Sequence, residues 1–234
     1  MSRWPIGYRA VQHATDGSRG FAREPRNCAG VPGPSPCQDR TMGETIVLPA
    51  QTSRRAELEA DGWVVIARSF GAQLDSARID RQRLQALVAK AEGSVRELAD
   101  ADVESVLRLD AMTAEDYPGS AATQHTPLDR RAATPSASRR AFGAFGPDGD
   151  LVAMTFVDVE GTKAETQFTV VHRAWRGQGL GIAVKAASVL TLAAEGVTQF
   201  RTGGSADNLA ILRANDAVGY IQDEEWVTLG RNVR

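Results

Sequence analysis

The chain has 234 residues, with 27 Lys+Arg against 29 Asp+Glu and a formal charge of −2. At 42% hydrophobic and 24% charged it has an ordinary globular composition. The near-neutral balance argues against a general nucleic-acid or membrane-surface role, which shows as a basic excess. No apolar run approaches the ~18 residues of a membrane span. Of the basic residues 24 are Arg and 3 are Lys (Lys90, Lys163, Lys185), a skew read as coding bias and not as a site.

Met1 to Ala50 holds 6 of the 10 prolines and both cysteines. Its run Gly30-Val31-Pro32-Gly33-Pro34-Ser35-Pro36 suits neither a helix nor a central strand. No charged segment followed by an apolar one marks a secretory signal. Residues 1–52 therefore read as a disordered leader, with Met42 as a candidate true start. Cys28 and Cys37 match no zinc-ligand spacing, and His13 does not complete one. They read as free thiols in a reducing cytoplasm, with no metal expected.

Structure becomes legible after residue 52. Ser53 is placed to cap a short helix over 54–60, Gly62 ends it, and residues 63–67 read as a strand. Leu84, Leu87, Val88 and Ala91 form one apolar stripe, predicting a helix from Ser76 to Glu92 that stops at Gly93. A short strand follows at 95–98. Asp100 or Asp102 then caps a helix to about Leu109, with Val103, Val106 and Leu107 as its apolar face. Residues 111–137 contain Pro118, Pro127 and Pro135 and read as a long loop with one helical turn.

Next comes a hairpin. Strands 141–145 and 151–158 flank Gly146-Pro147-Asp148-Gly149, in which Pro fixes φ and Gly permits positive φ. A turn near Gly161 leads to a third antiparallel strand, 166–171. It runs into Arg173-Ala174-Trp175-Arg176-Gly177-Gln178-Gly179-Leu180-Gly181 and then a helix to about Glu195. The polar positions of that helix, Lys185, Ser188, Thr191 and Glu195, read as a single solvent stripe. Strand, glycine-rich turn and buried helix together suit a phosphate, because a helix N-terminus exposes unpaired N–H groups. The alternate glycines and antiparallel strands do not fit the dinucleotide fingerprint, and no Lys-Ser or Lys-Thr closes a Walker loop. Residues 197–202 read as the next strand. A helix carrying Asn208 and Asn215, two turns apart, ends at Gly219; Tyr220 then begins a last strand paired with 226–229.

Val170 to Gly181, with Arg176-Gly177-Gln178-Gly179-Leu180-Gly181 at its end, resembles motif A of the GNAT N-acetyltransferases. Asn208 to Tyr220 is similar to their motif B. The resemblance covers 94–230, marks 94–234 as one domain, and implies an α/β fold: a mixed, mainly antiparallel sheet flanked by helices. It also implies acetyl-CoA as co-substrate. The amides of Arg176, Gly177, Gln178, Gly179, Leu180 and Gly181 would hold its pyrophosphate, and Val170 and Val171 would pair with its pantetheine arm. Asn208 and Asn215 would also contact it. Residues 54–63 resemble the helix-to-strand corner that precedes the second domain of two-domain GNAT proteins. Residues 53–93 are therefore either a simple extension or the remnant of a first domain. A remnant would show as a strand at 63–68 packed on the edge of the 95–98 strand.

Many GNAT enzymes carry a tyrosine acid where Asn215 stands, and Asn can only donate a hydrogen bond there. The expected reaction is direct attack of an amine on the thioester. The oxyanion would be held by a backbone N–H at a bulge near Val170 or Val171. The base candidates are Glu165, then Asp158 and Glu160, which as turn charges are more commonly just solvated. Asp116, Tyr117 and His125 lie in the long loop where acceptors bind in such proteins; His125 reads as a surface residue. The acceptor is expected to be a small-molecule primary amine of unspecified identity, with no nucleic acid or membrane partner and a homodimer left open. A non-catalytic acyl-CoA-binding regulatory module and a different nucleotide-binding protein are the alternatives.

Overall fold

The structure, a computed structural model, describes residues 44–116 and 125–231. The leader up to 43, with Met42 and both cysteines, and Tyr117 lie outside the described residues.

Eight strands form one sheet. They are β1 (Thr45–Pro49), β2 (Val64–Asp75), β3 (Ser94–Glu97), β4 (Arg139–Phe145), β5 (Leu151–Glu160), β6 (Lys163–Val171), β7 (Gln199–Ser205) and β8 (Ile221–Gly230). Their order is β1-β8-β2-β7-β6-β5-β4-β3. Only β6 and β7 pair in parallel; the other neighbours are antiparallel. The helices are α1 (Ser53–Ala60), α2 (Arg81–Ala89), α3 (Val103–Thr113), α4 (Arg130–Ala133), α5 (Leu180–Ala194) and α6 (Leu209–Val218).

The strand alternation separates two cores. Phe70, Ala72, Leu74, Ala164 and Phe200 face α2, α5 and α6 through Leu84, Ala186, Val189, Leu192 and Val218. Met154, Phe156, Phe168 and Val170 face α3 through Val106 and Leu109. A smaller cluster of Leu48, Trp63, Val227 and Leu229 closes β1 and β8 against Leu58 of α1. Arg140 of β4 ties the end of α5 to β3, bonding Glu97 at 2.7 Å and Glu195 at 2.6 Å.

Several boundaries depart from the sequence reading. Residues 45–49, expected within the leader, form β1 on the outer edge of β8. β2 runs to Asp75, well past the expected end at 67. It lies between β7 and β8, not on the edge of the 95–98 strand. Its length follows from having partners on both edges, which a local reading of 63–67 cannot see. The expected helix over 76–92 is split. Asp75 caps a single 3-10 turn by accepting from Ala77 N–H at 2.8 Å, and Asp80 restarts α2 by accepting from Arg83 N–H at 2.9 Å. The expected C-terminal hairpin is absent: 221–230 is one strand, held by β1 on one side and β2 on the other. Thr52, not Ser53, is the N-cap position of α1.

Candidate functional site

β6 and β7 share three rungs, Lys163 with Gln199, Ala164 with Phe200 and Glu165 with Arg201. Beyond them both strands continue, to Val171 and Ser205, without pairing. The sheet therefore opens into a wedge whose vertex is Glu165/Arg201 and whose mouth is at the C-terminal end of β6. There the backbone groups on the facing edges of both strands have no ladder partner, an arrangement that suits an extended polar chain.

The mouth is lined by the glycine loop. A 3-10 turn, Arg173–Trp175, leads into Gly177 and Gly179, both in the left-handed region with φ near +80°. Nothing lies within 4 Å of a Cβ built on either. Their glycines thus answer to backbone shape, which L side chains resist, and leave the space above the loop open. Gly179 is the N-cap of α5 and brings no capping side chain. Among the described residues the amides of Gly177 to Gly181 find no hydrogen-bond acceptor. Unpaired donors with the positive end of a 15-residue helix behind them form an anion cradle. Asp116, on the single turn after α3, occupies the flank. Its carboxylate bonds Arg173 and also Arg176 at 2.6 Å, while Arg176 Nε donates to the Val171 carbonyl at 3.2 Å. Arg173 chiefly, then Arg176, holds the Asp116 carboxyl below its ordinary range.

On the α3 side of the sheet, one cross-strand row reads Arg139, Asp158, Glu165, Arg201, Gln73. Arg139 bonds Asp158 at 3.1 Å, and Arg201 bonds Asp223 at 2.7 Å and Glu224 at 2.9 Å. Burial raises the Asp158 carboxyl despite Arg139. Glu165 lies between the two arginines on a cavity of about 300 Å³ that Gln73, Lys163, Gln199, Arg201 and Glu224 also line. A bulge falls at Gln167, because Phe156 pairs with Phe168 but Val157 with Thr166. The bulge expected near Val170 or Val171 is thus three residues earlier, beside the vertex, where β6 turns away from β7.

On the opposite side, Lys185 and Ser188 of the expected solvent stripe of α5 turn inward, while Thr191 is half-buried and Glu195 exposed. Lys185 is 1% and Ser188 3% exposed, because α2 and α6 flank the helix and leave it little free surface. Lys185 Nζ donates to Thr202 Oγ1 at 3.2 Å and lies 5.3 Å from the Tyr220 ring centroid. Burial alone lowers its ammonium to about 7. Burial likewise pushes the Tyr220 phenol up, against a hydrogen bond with Thr166. Asn215 of α6 is 4% exposed, and neither its Oδ1 nor its Nδ2 has a partner among the described residues. Asn208 differs: its Oδ1 caps α6, accepting from Ile211 N–H at 3.1 Å. The two asparagines, expected to face the same way, therefore have separate surroundings.

One pair escaped the sequence reading. His125 Nε2 lies 2.6 Å from Asp110 Oδ1, with side chains 8% and 3% exposed. Asp110 Oδ2 also accepts from Leu128 N–H at 2.8 Å. The imidazole rests on Phe168 of β6, ring centroids 4.5 Å apart. The signal was present: Asp110 continues the 103, 106, 107 stripe of α3, a carboxylate at a core position. His125, read as a surface residue, is buried by that carboxylate and by Phe168.

No protein-family model matches the chain, and no curated protein matches it significantly. Solved structures do. A GCN5-related N-acetyltransferase from Sphaerobacter thermophilus superposes with a TM-score of 0.60 at 14% identity, over 82% of this chain and 61% of that one. One from Kribbella flavida gives 0.54 at 18%, over 81% and 68%. A tandem GNAT protein from the clavulanic acid biosynthesis pathway gives 0.52 at 22%, over 80% and 62%.

The chain adopts the GNAT fold.

It spans less than two thirds of the Sphaerobacter and tandem proteins. The segment that resembles motif A forms β6, the glycine loop and α5, and the one similar to motif B forms α6. The fold brings Val170, Val171 and Arg176 to Gly181 together at the wedge mouth, and Glu165 to its vertex. Asn215 is buried in the layer that packs against α5. The chemistry of the donor set, unpaired amides ahead of a helix dipole with an arginine beside them, fits a pyrophosphate. The orphaned Asn215 amide fits a polar ligand atom. Among the described residues no group of three or more His, Cys, Asp or Glu is placed to hold a metal, and no helix is long and apolar enough to cross a membrane.

Proposed function

We propose that the chain is an N-acetyltransferase that moves the acetyl group of acetyl-CoA to a primary amine of a small molecule. The observation that carries this reading is the divergence of β6 from β7 immediately after three rungs, with its mouth at an unpartnered amide cradle. The loop amides of Gly177 to Gly181 bind the pyrophosphate, assisted by Arg176. The free edge of β6 from Thr169 to Val171 orients the pantetheine arm. The acetyl group then points at the vertex, where the Gln167 bulge offers an irregular stretch of backbone for the oxyanion.

The acceptor enters from the α3 side, through the cavity of about 300 Å³, a volume that suits a small molecule rather than a polymer. Glu165 is on that wall, at the vertex itself, and takes the proton of the incoming ammonium. The acceptor nitrogen then attacks the carbonyl carbon. Arg139 and Arg201 on either side of the Asp158–Glu165 pair keep the row from accumulating negative charge.

The test is thiol release on mixing the protein with acetyl-CoA and a panel of primary amines. Amine-dependent free thiol supports the reading. Tight acetyl-CoA binding without thiol release for any amine favours the non-catalytic acyl-CoA-binding module. No acetyl-CoA binding refutes both.

A further inference from the structure

Lys185 is a cation with no counter-charge. Its amine is enclosed by α5, β7 and the corner after α6. The groups on it are the Thr202 hydroxyl from β7 and the Tyr220 ring. Ser188 on its own helix turns away, donating to the Lys185 carbonyl at 2.8 Å. Among the described residues no carboxylate from α2, β6, β7 or α6 reaches Nζ, and desolvation is the sole influence on its protonation. A buried, unpaired ammonium costs several kcal/mol, and a leucine or methionine would fill the same space without that cost. A group kept against such a cost is a candidate for chemistry.

Its place in the fold identifies the chemistry. Thr202 is the first β7 residue past the last rung, Glu165 with Arg201, and Thr166, bonded to Tyr220, is the matching residue of β6. Lys185 Nζ therefore reaches the vertex of the wedge from the α5 side, opposite the Glu165 cavity. From Val171 at the mouth to Thr166 at the vertex the Gln167 bulge leaves four rungs, matched by Ala153 to Val157 on β5, or about 13 Å. An extended pantetheine arm is longer than that span, so it covers it from a pyrophosphate held beyond Val171 on the loop amides. An arm anchored at the Gly177–Gly181 amides thus delivers its sulfur end to Lys185 while the acetyl carbon faces Glu165.

Resting on the acetyl-CoA reading above, the geometry points to Lys185 as the proton donor to the departing CoA sulfur, the task for which this chain has no tyrosine on α6. The acceptor nitrogen, deprotonated once by Glu165, forms its bond to the carbonyl carbon, and its second proton passes to solvent as the amide forms. The C–S bond breaks with its electron pair going to sulfur, and that sulfur takes a proton from the Lys185 ammonium. This leaves CoA thiol and a neutral amine, which solvent reprotonates after product release. Thr202 orients the amine. The neutral Tyr220 ring, held by Thr166, faces the ammonium with its π-cloud and withdraws no proton from it.

The test uses CoA itself, which needs no identified acceptor. Calorimetry first establishes that wild type and Lys185→Met bind CoA. The thiol of the bound CoA is then titrated by its ultraviolet thiolate absorbance. An ammonium at the sulfur lowers the thiol's apparent pKa relative to free CoA in wild type, and Lys185→Met returns it to the free value. Equal titrations in the two proteins overturn the assignment of Lys185, while CoA binding still stands. Absence of binding in wild type overturns the acetyl-CoA reading and this inference with it. With any amine that supports thiol release, Lys185→Met lowers kcat on the order of 10²-fold. It leaves the KM for acetyl-CoA unchanged and removes the alkaline limb of the kcat profile. An unchanged kcat again overturns the assignment.

Discussion

Lys185→Met is the substitution whose effect follows most directly from the structure, because it separates stability from function. Methionine matches the lysine stem in length and volume, so the α5 packing is kept. Burial takes the ammonium from its ordinary 10.5 to about 7. Between those values the unfolded chain holds a proton that the folded chain has released, so stability rises with pH across the window from about 7 to about 10.5. At ~1.4 kcal/mol per pH unit, the cost carried by wild type near neutral pH is on the order of 4 kcal/mol. The hydroxyl of Thr202, left without its donor, returns about 1–2 kcal/mol of that. Urea unfolding at a series of pH values measures the outcome as the difference between the two proteins, which cancels every other titrating group. At pH 7 the variant is expected to be more stable by about 2–3 kcal/mol; the gap closes at about pH 9 and reverses to about 1–2 kcal/mol in favour of wild type above pH 10.5, where only the lost Thr202 bond remains. A variant that is less stable at pH 7, or a gap that does not change with pH, refutes the reasoning.

Three further outcomes are expected. Gly179→Glu places a carboxylate and a strained φ in the amide cradle and removes acetyl-CoA binding, whereas Gly179→Asn, which tolerates the left-handed region, retains the fold and part of the affinity; calorimetry and a thermal melt distinguish them. Glu165→Gln lowers kcat by roughly 10²–10⁴-fold with the KM for acetyl-CoA unchanged; a matching rise in that KM instead would place Glu165 in cofactor binding. Asp116→Asn releases Arg173 and Arg176 from their shared carboxylate. Acetyl-CoA affinity is then expected to rise severalfold at low salt and to lose the gain at high salt; titrations at two ionic strengths check this, and an affinity unchanged at low salt contradicts a phosphate role for Arg176.

The sequence announces this fold where its signals are local. The Gly146–Gly149 turn sets the β4–β5 hairpin, and the alternate glycines before an apolar run place the loop and α5. It is silent where partners come from far along the chain. β2 is twelve residues long because β7 and β8, more than a hundred residues later, pair with both its edges. β8 stays unbroken for the same reason. Lys185 shows the limit of periodicity: a polar residue every three or four positions reads as a wet face, and only the packing around α5 reveals that Lys185 and Ser188 are not on one. Asp110 shows the converse, a carboxylate in an apolar stripe whose partner, His125, is 15 residues further along the chain. The cradle was legible because one glycine-rich segment builds it. The vertex was not, because β6, β7, α5 and the corner after α6 each contribute a residue to it.

The central claim is that acetyl-CoA lies in the β6–β7 wedge with its pyrophosphate on the α5 cradle. A calorimetric titration of acetyl-CoA into wild type and Gly179→Glu tests it most directly. The account predicts saturable one-site binding to wild type and none to a variant that still melts cooperatively. Equal affinity in both proteins would contradict it.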